Sequence, residues 1–172
     1  MTGDSERLRW LNSLDGQEAS EHFTKCCGSS RWVAAMAQRR PFADARQLFA
    51  VAEEVWNGLT PEDWKEAFSH HPKIGDISSL REKFASTKTW AAGEQSGVNN
   101  TTENTLKALA EGNAEYEKKF GFIFIVCATG KSAEEMLSLL KARRVNTPDM
   151  EIAIAAAEQN KITRIRLEKL LL

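Results

Sequence analysis

Gly121-Phe122-Ile123-Phe124-Ile125-Val126-Cys127-Ala128 is the stretch that decides the fold class. Its aromatic and β-branched residues suit a strand by propensity. A buried strand must pair its backbone N–H and C=O groups with a neighbour. No second convincing strand exists anywhere in the 172 residues. The stretch near 121–128 therefore predicts one buried extended segment inside an all-α protein, a single compact multi-helix domain over residues 1–172.

Helical signals surround it on both sides. Downstream, Gly130 is followed by Ser132-Ala133-Glu134-Glu135, in which the serine and the second glutamate form a capping-box pattern. Asn146-Thr147-Pro148 closes that helix and opens the last, which runs to about Leu170 with Ile152, Ala155, Ile162, Ile165 and Leu170 as its expected buried positions. Upstream, Gly121 ends a helix that Thr101 or Thr102 opens, carrying Leu106, Leu109, Tyr116 and Phe120, with Gly112 and Asn113 weakening its middle. Residues 72–100 lack periodicity. Pro72, Gly75, Gly93 and Gly97 punctuate them, which predicts loops and short helices.

The N-terminal half is more regular. Leu8, Leu11 and Leu14 mark a first helix, Gln17 to Cys27 a second, and Trp32, Val33 and Met36 a third that stops before Pro41. Leu48, Val51, Ala52 and Val55 share the face of a fourth. Thr60, Pro61 and Asp63 give a cap, a first-turn proline and a capping partner for a fifth, which runs toward His70 and His71 and ends at Pro72.

Composition excludes several functions. A formal net charge of -1 lacks the positive field that nucleic acid rewards. The apolar fraction of 42% is enough for a core. No apolar run is long enough to span a bilayer. Met1-Thr2-Gly3-Asp4-Ser5-Glu6 is polar and unlike a signal peptide. Cys26, Cys27 and Cys127 make no disulfide framework and no C-x-x-C pair, and no histidine pair has zinc-site spacing. A soluble intracellular protein is expected, with no membrane or nucleic-acid partner and no metal.

Four features can carry chemistry. His71 stands at an expected helix end beside Pro72 and can move a proton near neutral pH; taken alone, it is better explained by a favourable charge at a helix C-terminus. His70 and His22 read as packing or surface residues. Glu94-Gln95 sets an acceptor-only group beside an amide, which suits a ligand rich in N–H and C=O groups. Arg166 can fork onto a carboxylate, and Arg164, two residues away, must point elsewhere. The backbone around Ile123, Phe124 and Ile125 can meet a bound carbonyl. Cys127, flanked by Val126 and Ala128, reads as a buried inert thiol.

Taken in order, these landmarks resemble one family along nearly the whole chain. They are Trp32-Val33, Arg40-Pro41-Phe42, His71-Pro72-Lys73-Ile74-Gly75, Glu94-Gln95-Ser96-Gly97, Phe120-Gly121-Phe122-Ile123-Phe124-Ile125, Gly130, Arg143 to Asn146, and Lys161-Ile162 with Ile165-Arg166-Leu167. The sequence resembles the OHCU decarboxylases, where OHCU is 2-oxo-4-hydroxy-4-carboxy-5-ureidoimidazoline, an intermediate of urate (purine) degradation. The resemblance implies an all-helical fold, no metal or organic cofactor, a homodimer, and a bacterial, cytoplasmic enzyme, since Leu170-Leu171-Leu172 is no peroxisomal signal. It implies His71 as the catalytic histidine and Glu94 as its catalytic companion. Pro72, Gln95, Arg166 and the backbone of Ile123, Phe124 and Ile125 are implied to bind substrate. Two positions depart from the pattern. Ala91 stands where the family often has serine, so that one hydroxyl contact is either missing or supplied by Ser96 or Ser86, and Ile123 stands where it often has proline.

The implied reaction is decarboxylation of OHCU to (S)-allantoin. The substrate's own C=N bond accepts the electron pair, so the chemistry asks for no cofactor. A hydrolase or isomerase of another ureide would use the same residues. A non-enzymatic helical interaction module would leave them structural, with no cleft shared by His71, Glu94 and Arg166.

Overall fold

The structure is a computed structural model that describes residues 2–72, 77–85 and 96–172. It is all-α: among the described residues there are helices and irregular segments and no strand. The helices are α1 (Thr2–Ser13), α2 (Gly16–Cys26), α3 (Ser30–Gln38), α4 (Ala45–Asn57), α5 (Pro61–Ser69), α6 (Ile77–Ala85), α7 (Ser96–Phe120), α8 (Ala133–Arg144) and α9 (Pro148–Leu170). None of them is long and apolar enough to cross a membrane. Contacts divide the chain into two compact units. One comprises the chain up to His71 with Ala156–Leu172, the other Pro72–Ala155.

In the first unit α3 is the hub, packing on α2, α4 and α5. Its Trp32, Val33 and Met36 are buried, as their spacing predicts. Trp32 meets Phe23 of α2 edge to face at 5.9 Å. Buried indoles need a partner for their N–H. Trp32 donates to the Ala52 carbonyl at 3.1 Å, and Trp56 donates to the Ala156 carbonyl at 2.9 Å. The helix starts are local chemistry. Thr60 and Asp63 form the expected capping box on α5, with Pro61 in its first turn. Asp15 and Glu18 form another on α2. Each such cap stabilises its helix by about 1 kcal/mol.

In the second unit α7 packs on α6 and α8. A Cβ on Gly112 would sit 2.6 Å from Leu140 Cδ2, so the glycine lets α7 and α8 approach closely. The Ser132–Glu135 capping box opens α8 as the sequence predicts. Residues 122–128 form a non-helical segment with Phe122, Ile125, Val126 and Cys127 buried.

Three expectations need correction. Helix α7 begins at Ser96, before Thr101, because Gly97 in its first turn does not stop it. Helix α5 ends at Ser69, with His70 as its C-cap, one turn short of Pro72. The buried stripe of α9 is not the isoleucine face. Ala155 is buried as expected, but Ile152, Ile162, Ile165 and Leu170 are only half-buried, whereas Glu151, Gln159, Thr163 and Leu167 are buried. Together with Ala155 these positions recur every four residues, the side-by-side spacing of a helix. Polar residues occupy the inner face because each finds a buried partner.

Candidate active site

His71 lies one residue beyond the C-cap of α5. Its backbone N–H donates to the Phe68 carbonyl at 3.2 Å, which holds the chain in a final tight turn. Its half-buried ring pairs through Nε2 with Oε1 of Gln159 on α9. His70 turns elsewhere, onto Gly28: a Cβ at Gly28 would lie 2.4 Å from His70 Cγ. The glycine between α2 and α3 thus leaves room for the end of α5. His22 instead meets Trp10 edge to face at 4.9 Å.

Gln159 and Thr163 are polar residues that an apolar periodicity passes over. Gln159 is fully buried and donates through Nε2 to Thr163 Oγ1 at 3.1 Å. Thr163 in turn hydrogen-bonds the Cys27 thiol, which also bonds the Ser29 backbone. Burial pushes the Cys27 thiol up to about 11, with those hydrogen bonds and Arg166 working against it. Burial likewise pushes Cys26 up to about 12, opposed by Arg166. Both sulfurs therefore keep their protons near neutral pH. The signal available in the sequence was the four-residue interval from Ala155 through Gln159 and Thr163 to Leu167.

Arg166 is half-buried, and its Nη1 reaches the Cys26 carbonyl at 3.4 Å. Seven residues separate it from Gln159, so the two share a face of α9 about 10 Å apart along the axis. Arg164 diverges as expected: it is exposed, with its guanidinium 4.3 Å from the Phe49 ring and its Nε 3.1 Å from Glu168.

The other predicted residues fall in the second unit or outside the described residues. Pro72 is exposed. Glu94 and Gln95 lie outside the described residues, as do Lys73 to Gly75, Ser86 and Ala91. Ile123 and Phe124 are half-buried and Ile125 is buried. A charged cluster fixes this segment in place of a sheet. Arg143 Nη1 donates to the Ile125 carbonyl at 2.5 Å, and its guanidinium lies 4.6 Å from the Phe124 ring. Buried Glu151 accepts from Arg143 Nε at 2.6 Å, from the Tyr116 hydroxyl at 2.5 Å and from Asn146 at 3.0 Å. Burial and the hydrogen bond to Glu151 raise the Tyr116 phenol well above its ordinary range. Lys131 Nζ takes the Cys127 carbonyl at 2.7 Å.

Residues 12–168 match the OHCU decarboxylase family. The chain belongs to that family. It is 40% identical over 146 residues to the uric acid degradation bifunctional protein TTL of Arabidopsis thaliana, a stretch covering 84% of this chain and 45% of that protein. The chain thus spans less than half the length of this bifunctional relative. It is 29% identical over 167 residues to the 2-oxo-4-hydroxy-4-carboxy-5-ureidoimidazoline decarboxylase of Amia calva, covering 95% of this chain and 94% of that protein. Its fold is similar to a crystal structure of OHCU decarboxylase in the presence of (S)-allantoin. There the TM-score is 0.70 and the identity 40%, over 88% of this chain and 97% of that one.

Proposed function

We propose that this chain decarboxylates OHCU to (S)-allantoin as a single domain over residues 1–172, working as a cytoplasmic homodimer without metal or organic cofactor. The likeness to a decarboxylase structure obtained with (S)-allantoin carries the reading. The seating of His71 on the buried Gln159 supports it, because a general base must be held in one orientation. Location, assembly and independence from cofactors are carried over from the family resemblance.

In this reading the bond between the ring carbon and its carboxylate breaks and CO2 leaves. The electron pair moves into the ring and onto the nitrogen of the adjacent C=N bond. His71 takes or polarises the proton of the ring hydroxyl, which becomes the carbonyl of allantoin. A proton delivered to one face of the neighbouring carbon sets the (S) configuration, so one proton is consumed for each CO2 released. Arg166 offsets the anionic charge of the substrate. Glu94 grips the ureido N–H groups, orients His71 or relays a proton. Gln95 reads amide groups, Pro72 lines the site, and the backbone of Ile123, Phe124 and Ile125 meets a substrate carbonyl.

The test supplies fresh OHCU, made from urate, to the purified protein and follows the circular dichroism of (S)-allantoin. The expected result is rapid growth of the (S) signal, slowed in Glu94→Gln. A rate equal to the spontaneous reaction would sink the reading.

A further inference from the structure

The Arg143 guanidinium is buried, and its three nitrogens are divided between two tasks. Nε and Nη2 lie on Glu151 Oε1, at 2.6 and 2.5 Å. Nη1 lies on the Ile125 carbonyl at 2.5 Å. A guanidinium is a rigid plane, so the edge held by Glu151 dictates where Nη1 points. Glu151 is itself anchored by Tyr116 of α7 and by Asn146, just beyond α8. Helices thus fix the direction of one carbonyl in a segment that has no strand to pair with. The Ile125–Val126 peptide is planar and trans, so the Val126 N–H is aimed away from Arg143. A charge-assisted bond at the carbonyl also polarises that peptide and strengthens its N–H as a donor. Stability alone does not explain the arrangement, because apolar residues of similar volume fill such a space as well as a buried ion pair does. They could not hold a backbone carbonyl.

We propose that Arg143 is a positioning residue for recognition of the substrate carbonyl: it draws the Ile125 carbonyl to its own side and leaves N–H groups of residues 123–126 to face the ligand. This rests on the reading of that backbone as a substrate contact. The chemistry requires such a device. A substrate carbonyl accepts hydrogen bonds, and a backbone carbonyl turned toward it would repel it. Only N–H groups can receive it, and in a segment outside any sheet no ladder dictates which groups are presented. The guanidinium also lies 4.6 Å from the Phe124 ring, so the residue before Ile125 is held by the same group.

The experiment compares Arg143→Lys with Tyr116→Phe in the full chain. Lysine keeps the charge that Glu151 needs, but its one nitrogen cannot stand at both the Glu151 and the Ile125 positions. Phenylalanine removes a hydroxyl from Glu151 and leaves the Arg143 bonds to Glu151 and Ile125 in place. With fresh OHCU, Arg143→Lys should raise KM about 5–10-fold, the effect of one lost hydrogen bond. Its kcat should change less, because the contact is made in the ground and transition states alike. Proton–nitrogen spectra should show the amide signals of residues 123–126 displaced in Arg143→Lys and near their wild-type positions in Tyr116→Phe. Tyr116→Phe should lower the urea midpoint and leave KM at the wild-type value. An unchanged KM in Arg143→Lys overturns the proposal while the decarboxylase reading stands. So does a KM raised equally in Tyr116→Phe, the mark of a merely structural role. Absence of wild-type turnover would instead sink the decarboxylase reading, and this proposal with it. Should Arg143→Lys fail to fold, Arg143→Met combined with Glu151→Leu removes both charges and the grip on Ile125, and KM should rise likewise.

Discussion

The two units hold their central polar groups by opposite means. In the first, a line of neutral groups, Gln159, Thr163 and a protonated Cys27, lies beneath His71. In the second, Arg143 and Glu151 form a buried ion pair that gathers Tyr116, Asn146 and the Ile125 carbonyl. A buried charge is costly to leave unpaired, so the second cluster tolerates one arrangement only. That serves a segment with no strand partner, whose backbone must be gripped by a side chain. A neutral line carries no such charge of its own. The charged cluster thus grips a backbone segment, and the neutral line seats the His71 ring.

The largest expected effects separate these roles. His71→Asn keeps an N–H donor for Gln159, so it should lower turnover about 10²–10⁴-fold with little change in the urea midpoint. Arg143→Met should act first on stability. It leaves Glu151 charged and buried, and unfolding free energy should fall by about 3–5 kcal/mol. Adding Glu151→Leu should recover part of that loss, though Tyr116 and the Ile125 carbonyl stay unpaired. If Arg143→Met left the midpoint unchanged, or His71→Asn moved it as far as Arg143→Met, the contrast between the units would fail.

What the sequence made legible follows the same division. Capping boxes at Thr60 and Ser132 are local, and residues three apart suffice to find them. The lone apolar segment at 121–128 was legible because strands need partners, and nothing else in the chain could pair. The inner face of α9 was not. Hydrophobic periodicity favours Ile162 and Ile165, yet Gln159 and Glu151 go inside because His71, far away in sequence, and Arg143, on the preceding helix, meet them. Burial of a polar side chain depends on a partner that spacing cannot reveal. For the site, His71 and Arg166 emerged through resemblance, while the residues beneath His71 needed coordinates.

A smaller effect probes how closely the first unit is packed around its neutral line. Gly28→Ala would drive a Cβ to 2.4 Å from His70 Cγ and 2.6 Å from its Cβ, atoms too near the backbone to swing aside. The end of α5 must shift, at a cost of about 1–3 kcal/mol. Because His71 is the next residue, turnover should fall along with the urea midpoint. A fall in stability with kcat untouched would show that His71 is placed by Gln159 alone.

The smallest effect concerns alkaline pH and asks whether the first unit depends on staying uncharged. Cys26 and Cys27 ionise at about 12 and 11 in the folded chain, against 9.0 for an ordinary thiol, because burial disfavours the thiolate. Below pH 9 both states hold the proton and the thiols contribute no pH dependence. Between 9.0 and the folded values the unfolded chain has released protons that the folded chain retains, so stability falls as pH rises. Each thiol should account for about 1.4 kcal/mol by pH 10. The phenol of Tyr116 in the charged cluster starts from 10.0 and adds its share at higher pH. Urea unfolding at pH 8, 9.5 and 10 should therefore show a shallower decline in Cys26→Ala than in the wild type. Equal slopes would mean that the Cys26 sulfur is reached by water, and that neutrality beneath His71 rests on Cys27 and Thr163 alone.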